Sequence, residues 1–277
     1  MDIPFSKLVM TLIVVSHRLP IVWHKGEYRD QLRHKAFYSG IASLKFQDIS
    51  YIGCITDNKD KLISPMKPLP NKMAYVEVDH TAHSDFYNGF CKQVLWQILH
   101  YQPYAPQVKE KSYFSAYHEV NQLFVDKIVS LYKPGDYVIV NDYHFLLVPF
   151  LLRKAIPGVN IGFFLHSPFP SSELFRCLPQ RKALLEGLLG SNMIGFQNYS
   201  YARHFLSSCS RVLGIETSPC SVEHDHHVSI GIFPMGINVK FVESHCRRPK
   251  VNDKLAKLKL KYMDKIVILG REKLEAH

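Results

Sequence analysis

Three polar residues stand where a parallel sheet would present them to a ligand. Asp142 and His144 follow the apolar run Tyr137-Val138-Ile139-Val140, and His166 follows the run Asn160 to Leu165. A third run, Met193-Ile194-Gly195-Phe196, leads into Gln197-Asn198-Tyr199. Short apolar runs alternating with helix-length segments are the pattern of βαβ units, and open α/β sheets take ligands at the carboxyl ends of their strands. Asp142, His144 and His166 are therefore expected to face one crevice, a carboxylate and two imidazoles aimed at a shared ligand. Their spacing leaves the ligand open. A second polar cluster, Glu223-His224-Asp225-His226-His227, has metal-ligand residue types. Consecutive side chains diverge, however, and no second shell is identifiable, so a hairpin tip is expected there and no metal.

The elements that must hold these residues follow in order. Lys7 to Val15 reads as a buried strand ending in Ser16-His17-Arg18-Leu19-Pro20, and Tyr51-Ile52-Gly53-Cys54 as a core strand followed by a loop. Asp57 to Asn71, charged and carrying Pro65, Pro68 and Pro70, reads as a surface loop. Tyr113, Ala116, Tyr117, Val120, Phe124 and Ile128 recur at helical spacing, so Ser112 to Tyr132 is an amphipathic helix packed on the sheet. Lys133-Pro134-Gly135-Asp136 then turns the chain into the central strand. The basic amphipathic segment Asn252 to Tyr262 precedes a last apolar run, Lys265 to Gly270, read as one more buried strand.

A chain of 277 residues, 47% hydrophobic and 21% charged, is globular and long enough for a full core. No apolar run approaches the ~20 residues of a membrane span. Leu8 to Val15 lacks a following small-residue cleavage site and reads as a strand rather than a signal peptide. The six cysteines are scattered, as for reduced thiols of a cytoplasmic protein. The net charge of +10 comes from dispersed Lys and Arg residues without a nucleic-acid reading motif. Such a charge suits phosphorylated small molecules or an acidic partner, and equally a plain basic surface.

Long strings of this sequence resemble the trehalose-6-phosphate synthase family. They are Asn141-Asp142-Tyr143-His144-Phe145, Ile161 to Pro170, and Gly195 to Gly214. The resemblance extends from about Leu12 to about Gly270, and the strings stand in the family's order. It implies an α/β fold: the Rossmann-like N-terminal domain of a GT-B glycosyltransferase, a mostly parallel sheet with helices on both faces. It implies a reaction in which glucose passes from UDP-glucose to glucose-6-phosphate with retention. No metal or cofactor is implied, since cationic side chains and helix N-termini neutralise the leaving diphosphate. Residue by residue, it implies that Asp142 binds acceptor hydroxyls and His166 lies against the transferred glucose. Arg18, Tyr87 and Trp96 would hold the acceptor phosphate, a task for which the planar guanidinium fork is suited. Tyr87 and Trp96 stand nine apart, so they are expected to share a direction only if the helix starts after Tyr87.

The departures are as informative. His17 replaces the family's asparagine, and the family's glycine-pair loop has become Ser39-Gly40 within Phe37 to Leu44. Two tryptophans are missing around Gly53, Lys92 and Gln97 replace an asparagine and a proline, and Asn238 replaces an aspartate. The last residues, from Gly270 to Glu275, are more similar to the synthase-like domain of fungal trehalose-phosphatase and regulatory subunits. Residues 1–262 are thus expected to form the acceptor-side domain and 263–277 the start of a truncated or absent donor-binding domain. The expected function is a synthase-like domain of trehalose biosynthesis that is not catalytic alone; the alternative is the N-terminal half of an active synthase. Glucose-6-phosphate is an expected partner, and the broken glycine pair counts against UDP-glucose. Self-association or docking to other subunits is expected, with no nucleic acid and no membrane.

Overall fold

The computed structural model describes residues 10–30, 35–42, 44, 46, 48–57, 61–102, 105 and 109–270. Strands β1 (Thr11–His24), β2 (Glu27–Asp30), β3 (Asp48–Asp57), β4 (Leu62–Ile63), β5 (Met73–Tyr75), β6 (Tyr137–Asn141), β7 (Asn160–Leu165), β8 (Met193–Phe196), β9 (Thr217–Ser218), β10 (Ser221–Glu223) and β11 (His227–Ile232) make one sheet. Its order is β4-β3-β1-β6-β7-β8-β11-β10-β9, with β2 on β1 and β5 on β3. Strands β3, β1, β6, β7, β8 and β11 run parallel. Antiparallel pairing involves only the short outer strands β2, β4, β9 and β10. The mostly parallel α/β architecture is thus the one expected.

The helices are α1 (Lys35–Ala42), α2 (His80–Ser84), α3 (Trp96–Leu99), α4 (Glu110–Leu131), α5 (Val148–Ala155), α6 (Ser172–Phe175), α7 (Arg181–Leu189), α8 (Tyr199–Ser208), α9 (Val239–Cys246) and α10 (Pro249–Lys261). A π-helical stretch, Asp85–Leu95, joins α2 to α3 without a break. Alternation along β1 divides the core. Ile13 and Val15 enter the large cluster with residues of the π-helical stretch, α4, α5, α7 and α8, while Leu12 and Val14 meet Ile41 and Phe37 of α1 on the other face. Near-continuous apolar strands are what burial on both faces requires. Glycine sets one close approach: a Cβ on Gly187 of α7 would lie 2.3 Å from the Leu146 carbonyl oxygen. That contact seats α7 directly on the segment following Asp142.

Several expectations need correction. Strand β1 does not end at Ser16 to Pro20 but runs through them to His24, with register shifts on either side of Arg18. Residues Phe37 to Ala42 belong to helix α1, not to a loop. Gly40 is not at positive φ, so nothing there demands a glycine loop; the Ser39 side chain lies outside the described residues. Tyr87 is inside the π-helical stretch rather than before a helix. Lys265 to Gly270 forms no strand: it has no regular structure, and Ile266 and Ile268 are 95% and 93% exposed. A strand needs a ladder partner, and the open flank of β11 is already taken by antiparallel β10. Residues 7–9 and 271–277 lie outside the described ones.

Candidate active site

The crevice is built where β1 and β6 part. Their ladder ends at the pair Val15–Val140. Past it the buried Asn141 donates from Nδ2 to the Val15 carbonyl at 3.0 Å. The next residue, Asp142, has φ 70° and ψ 172°. This backbone region is reached almost only by glycine and costs an ordinary residue of order 1–3 kcal/mol. Compensating bonds hold it. The Asp142 N–H donates to the Phe164 carbonyl at 2.8 Å. Its Oδ1 accepts from the His166 N–H, the Ser167 N–H and the Ser167 Oγ–H, each at 3.2 Å. Oδ2 has no hydrogen-bond partner among the described residues.

His166 is oriented by the same junction. Its Nε2 lies 3.3 Å from Asn141 Oδ1, and the edges of Phe164 and Phe37 pack against its ring. The turn carrying Tyr143 and His144 is pinned from beneath by α4. Tyr117 donates its hydroxyl to the Tyr143 carbonyl and accepts from the Leu146 N–H, both at 2.8 Å. Asn121 Nδ2 donates to the His144 carbonyl at 3.0 Å. Burial pushes the Tyr117 phenol well above its ordinary range, so it remains a neutral donor.

Arg18 sits on the bulged part of β1 opposite Cys54. Its carbonyl accepts from the Tyr38 hydroxyl of α1 at 2.8 Å and from Ser16 Oγ at 2.9 Å. Burial pushes the Tyr38 phenol up to about 12. The bulge exists because Gly53 allows it: a Cβ there would fall 2.8–2.9 Å from backbone atoms of Leu19, Arg18 and Ser16. The guanidinium lies 5.5 Å from the centroid of the Tyr87 ring, and Lys92 Nζ lies 4.8 Å from it. Tyr87 packs on His144 at 5.9 Å and Trp96 on Tyr143 at 5.8 Å.

The two aromatic side chains therefore reach adjacent residues of one turn although both are helical. The cause is the π-helical hydrogen bonding, in which the Trp96 N–H donates to the Cys91 carbonyl five residues back. Wider turns make nine residues close to two turns, whereas in an α-helix they are about two and a half. Sequence spacing alone cannot reveal that switch. It also left Asn141, Ser167, Tyr38 and Gly53 unassigned. Asn141 carried the one available signal, a polar residue at the buried end of an apolar strand. Glu223 and His227, expected at a hairpin tip, pair with each other across the β10–β11 turn. No group of residues suited to a metal occurs among the described residues.

A mostly parallel sheet with polar side chains gathered at its strand ends defines the class: an α/β domain of GT-B architecture. Residues 10–277 match glycosyltransferase family 20, and the chain belongs to that family. It is 39% identical over 95% of its length to an alpha,alpha-trehalose-phosphate synthase (UDP-forming) of Yarrowia lipolytica, of which it spans 59%. Its fold superposes on the N-terminal domain of Candida albicans trehalose-6-phosphate phosphatase with a TM-score of 0.77 and 32% identity. That match covers 91% of this chain and 56% of the other. An E. coli trehalose-6-phosphate protein bound with UDP-2-fluoro glucose gives a TM-score of 0.73 at 29% identity, covering 91% of this chain and 54% of that one. The chain thus spans little more than half the length of these relatives. No described helix is long and apolar enough to cross a membrane.

Proposed function

We propose that this chain is the acceptor-side, synthase-like part of a trehalose-6-phosphate-forming glycosyltransferase. In this reading it binds glucose-6-phosphate weakly and does not transfer glucose by itself. The observation that carries the reading is the convergence of Arg18, Tyr87 and Trp96 with Asp142 and His166 around the ends of β1 and β6. Arg18 offers a fork of donors to a phosphate monoester. Asp142 is held by Oδ1 with Oδ2 directed to sugar hydroxyls, and His166 borders the position of the transferred glucose. Residues 263–277 begin the donor-binding domain in this assignment, and that domain supplies the other wall of the crevice.

Two observations support a module that is silent alone. The chain spans 59% of the synthase it matches. In addition, Ser39 and Gly40 lie beyond the first turn of α1, where backbone N–H groups are committed to carbonyls four residues back and cannot cradle a diphosphate. In this reading the module works together with other subunits of a trehalose-making complex.

Calorimetric titration tests the reading. Glucose-6-phosphate should bind in the millimolar range, about 4 kcal/mol, and more tightly than glucose. Arg18→Ala removes a charge-assisted bond of about 1.5–3 kcal/mol and should abolish most of that affinity. Equal binding of glucose and glucose-6-phosphate, or none at ~10 mM, overturns the acceptor assignment. Trehalose-6-phosphate formation by the chain alone at ~10 per second overturns its catalytic silence.

A further inference from the structure

Beside Arg18 the crevice holds two histidines that the proposed function leaves without a task. His17 is only 7% exposed, and its Nε2 lies 3.0 Å from Nε2 of His83. At that separation one ring donates an N–H to the lone pair of the other. The His17 ring also packs at 4.7 Å against both His144 and Tyr87, with interplanar angles of 19° and 31°. The groups facing the pair come from three elements. Arg18 comes from β1, His80 and Lys92 from the continuous helix that also carries His83, and His144 from the turn after β6. All are cations or become cations on protonation. Among the described residues no carboxylate acts on either ring.

Two imidazoles bridged through their Nε2 atoms share two protons when neutral and three when cationic. The ring that donates through Nε2 keeps an unprotonated Nδ1, where the third proton goes. In the free protein that proton is disfavoured. Burial first, then His144, His83, Arg18 and Lys92, holds His17 well below its ordinary range. Burial, then Arg18 and His80, holds His83 at about 4. A dianion placed against Arg18 offsets the positive charge of Arg18 and Lys92, and so removes the repulsion that disfavours the third proton.

We propose that His17 and His83 are proton-carrying members of the anion subsite at Arg18. Binding of a dianionic oxoacid, such as a phosphate monoester, is accompanied by uptake of one solvent proton onto the free Nδ1 of the pair. An N–H bond forms there, and no bond of the ligand breaks. The inference rests on the assignment of Arg18 as an oxoanion contact and adds two specificity residues to it. The subsite then discriminates a dianionic phosphate from a neutral hydroxyl more strongly as pH falls. Neither histidine's role follows from the resemblance: His17 stands where an asparagine is usual, and the pair is seen only in three dimensions.

Inorganic sulfate is the probe, since its charge is constant over the pH range, with glucose-6-phosphate run in parallel. Calorimetry in two buffers of different ionisation heat counts the protons. Uptake should approach one per sulfate, and affinity should tighten towards tenfold per unit as pH falls from about 7.5 to about 6. In the unmodified chain, the imidazole Cε1–H signals of His17 and His83 should move to protonated positions on sulfate addition. The double variant His17→Asn, His83→Leu retains Arg18 and should bind sulfate with no proton uptake and a flat pH profile. Should that variant not fold, the signals of the unmodified chain decide alone. Binding of both anions without proton uptake, with the two signals unmoved, overturns the histidine proposal and leaves the acceptor assignment standing. Failure of both anions to bind overturns both.

Discussion

Replacing Asp142 by glycine and by alanine separates what its side chain does from what its backbone costs. Both variants delete the acceptor that serves the His166 and Ser167 N–H groups and the Ser167 hydroxyl at 3.2 Å. Three bonds at that length sharing one oxygen are worth about 1 kcal/mol each, or about 3 kcal/mol together. Leaving the N–H of Ser167, a buried residue, without a partner adds about 1–3 kcal/mol. Alanine bears this loss and retains the strain of φ 70°, ψ 172°, so its expected destabilisation is about 4–6 kcal/mol. Glycine adopts that conformation freely and recovers about 1–3 kcal/mol. Asp142→Gly should therefore be the more stable of the two by that margin, the reverse of the usual order, in which glycine is worse than alanine by about 0.4–1 kcal/mol. Asp142→Asn keeps an acceptor oxygen and should lose only about 1–1.5 kcal/mol. Urea unfolding followed by far-UV circular dichroism, with slopes compared among the variants, measures the differences. If Asp142→Ala equals or exceeds Asp142→Gly in stability, the strain argument is wrong.

Other perturbations test other parts of the structure. A Cβ at Gly187 meets the Leu146 carbonyl oxygen at 2.3 Å and the Leu147 Cα at 3.0 Å, both backbone atoms. Gly187→Ala should cost about 1–3 kcal/mol and lower Tm by several degrees, whereas Gly158→Ala, with nothing within 4 Å, should stay within about 0.5 kcal/mol. For pH, burial holds His83 at about 4 against an ordinary 6.5, and His17 is lowered as well. The unfolded chain then binds more protons below 6.5, so stability is complete above that value and is lost as pH falls towards about 4. His83→Leu with His17→Asn should flatten this part of a stability profile measured by thermal melting; an unchanged profile assigns it elsewhere. Ile266, Ile268 and Leu269 are 95%, 93% and 88% exposed, a run that invites association. Sedimentation should show self-association of the intact chain and a folded monomer after deletion of Ile266 to His277; equal masses refute it.

Much of the fold was legible along the chain because its parallel strands are buried on both faces, and burial on both faces leaves uninterrupted apolar runs. Tyr137 to Val140, Asn160 to Leu165 and Met193 to Phe196 announced β6, β7 and β8 in this way, and the polar residues after them marked the crevice. Asp142 and His166 could be paired from the sequence because both follow neighbouring strands. Lys265 to Gly270 was misjudged because composition records apolarity and not the availability of a ladder partner. Phe37 to Ala42 was misjudged because a resemblance to a glycine loop cannot report that serine in its place permits a helix. Only the tertiary structure decided three features of the site: the bulge of β1 over Gly53, the π-helical path that brings Tyr87 and Trp96 to one turn, and the meeting of His17 with His83. Each depends on how far one backbone segment stands from another 30 or more residues away or on which carbonyl an N–H chooses. Local side-chain pattern, which is all a single sequence displays, carries neither distance nor that choice.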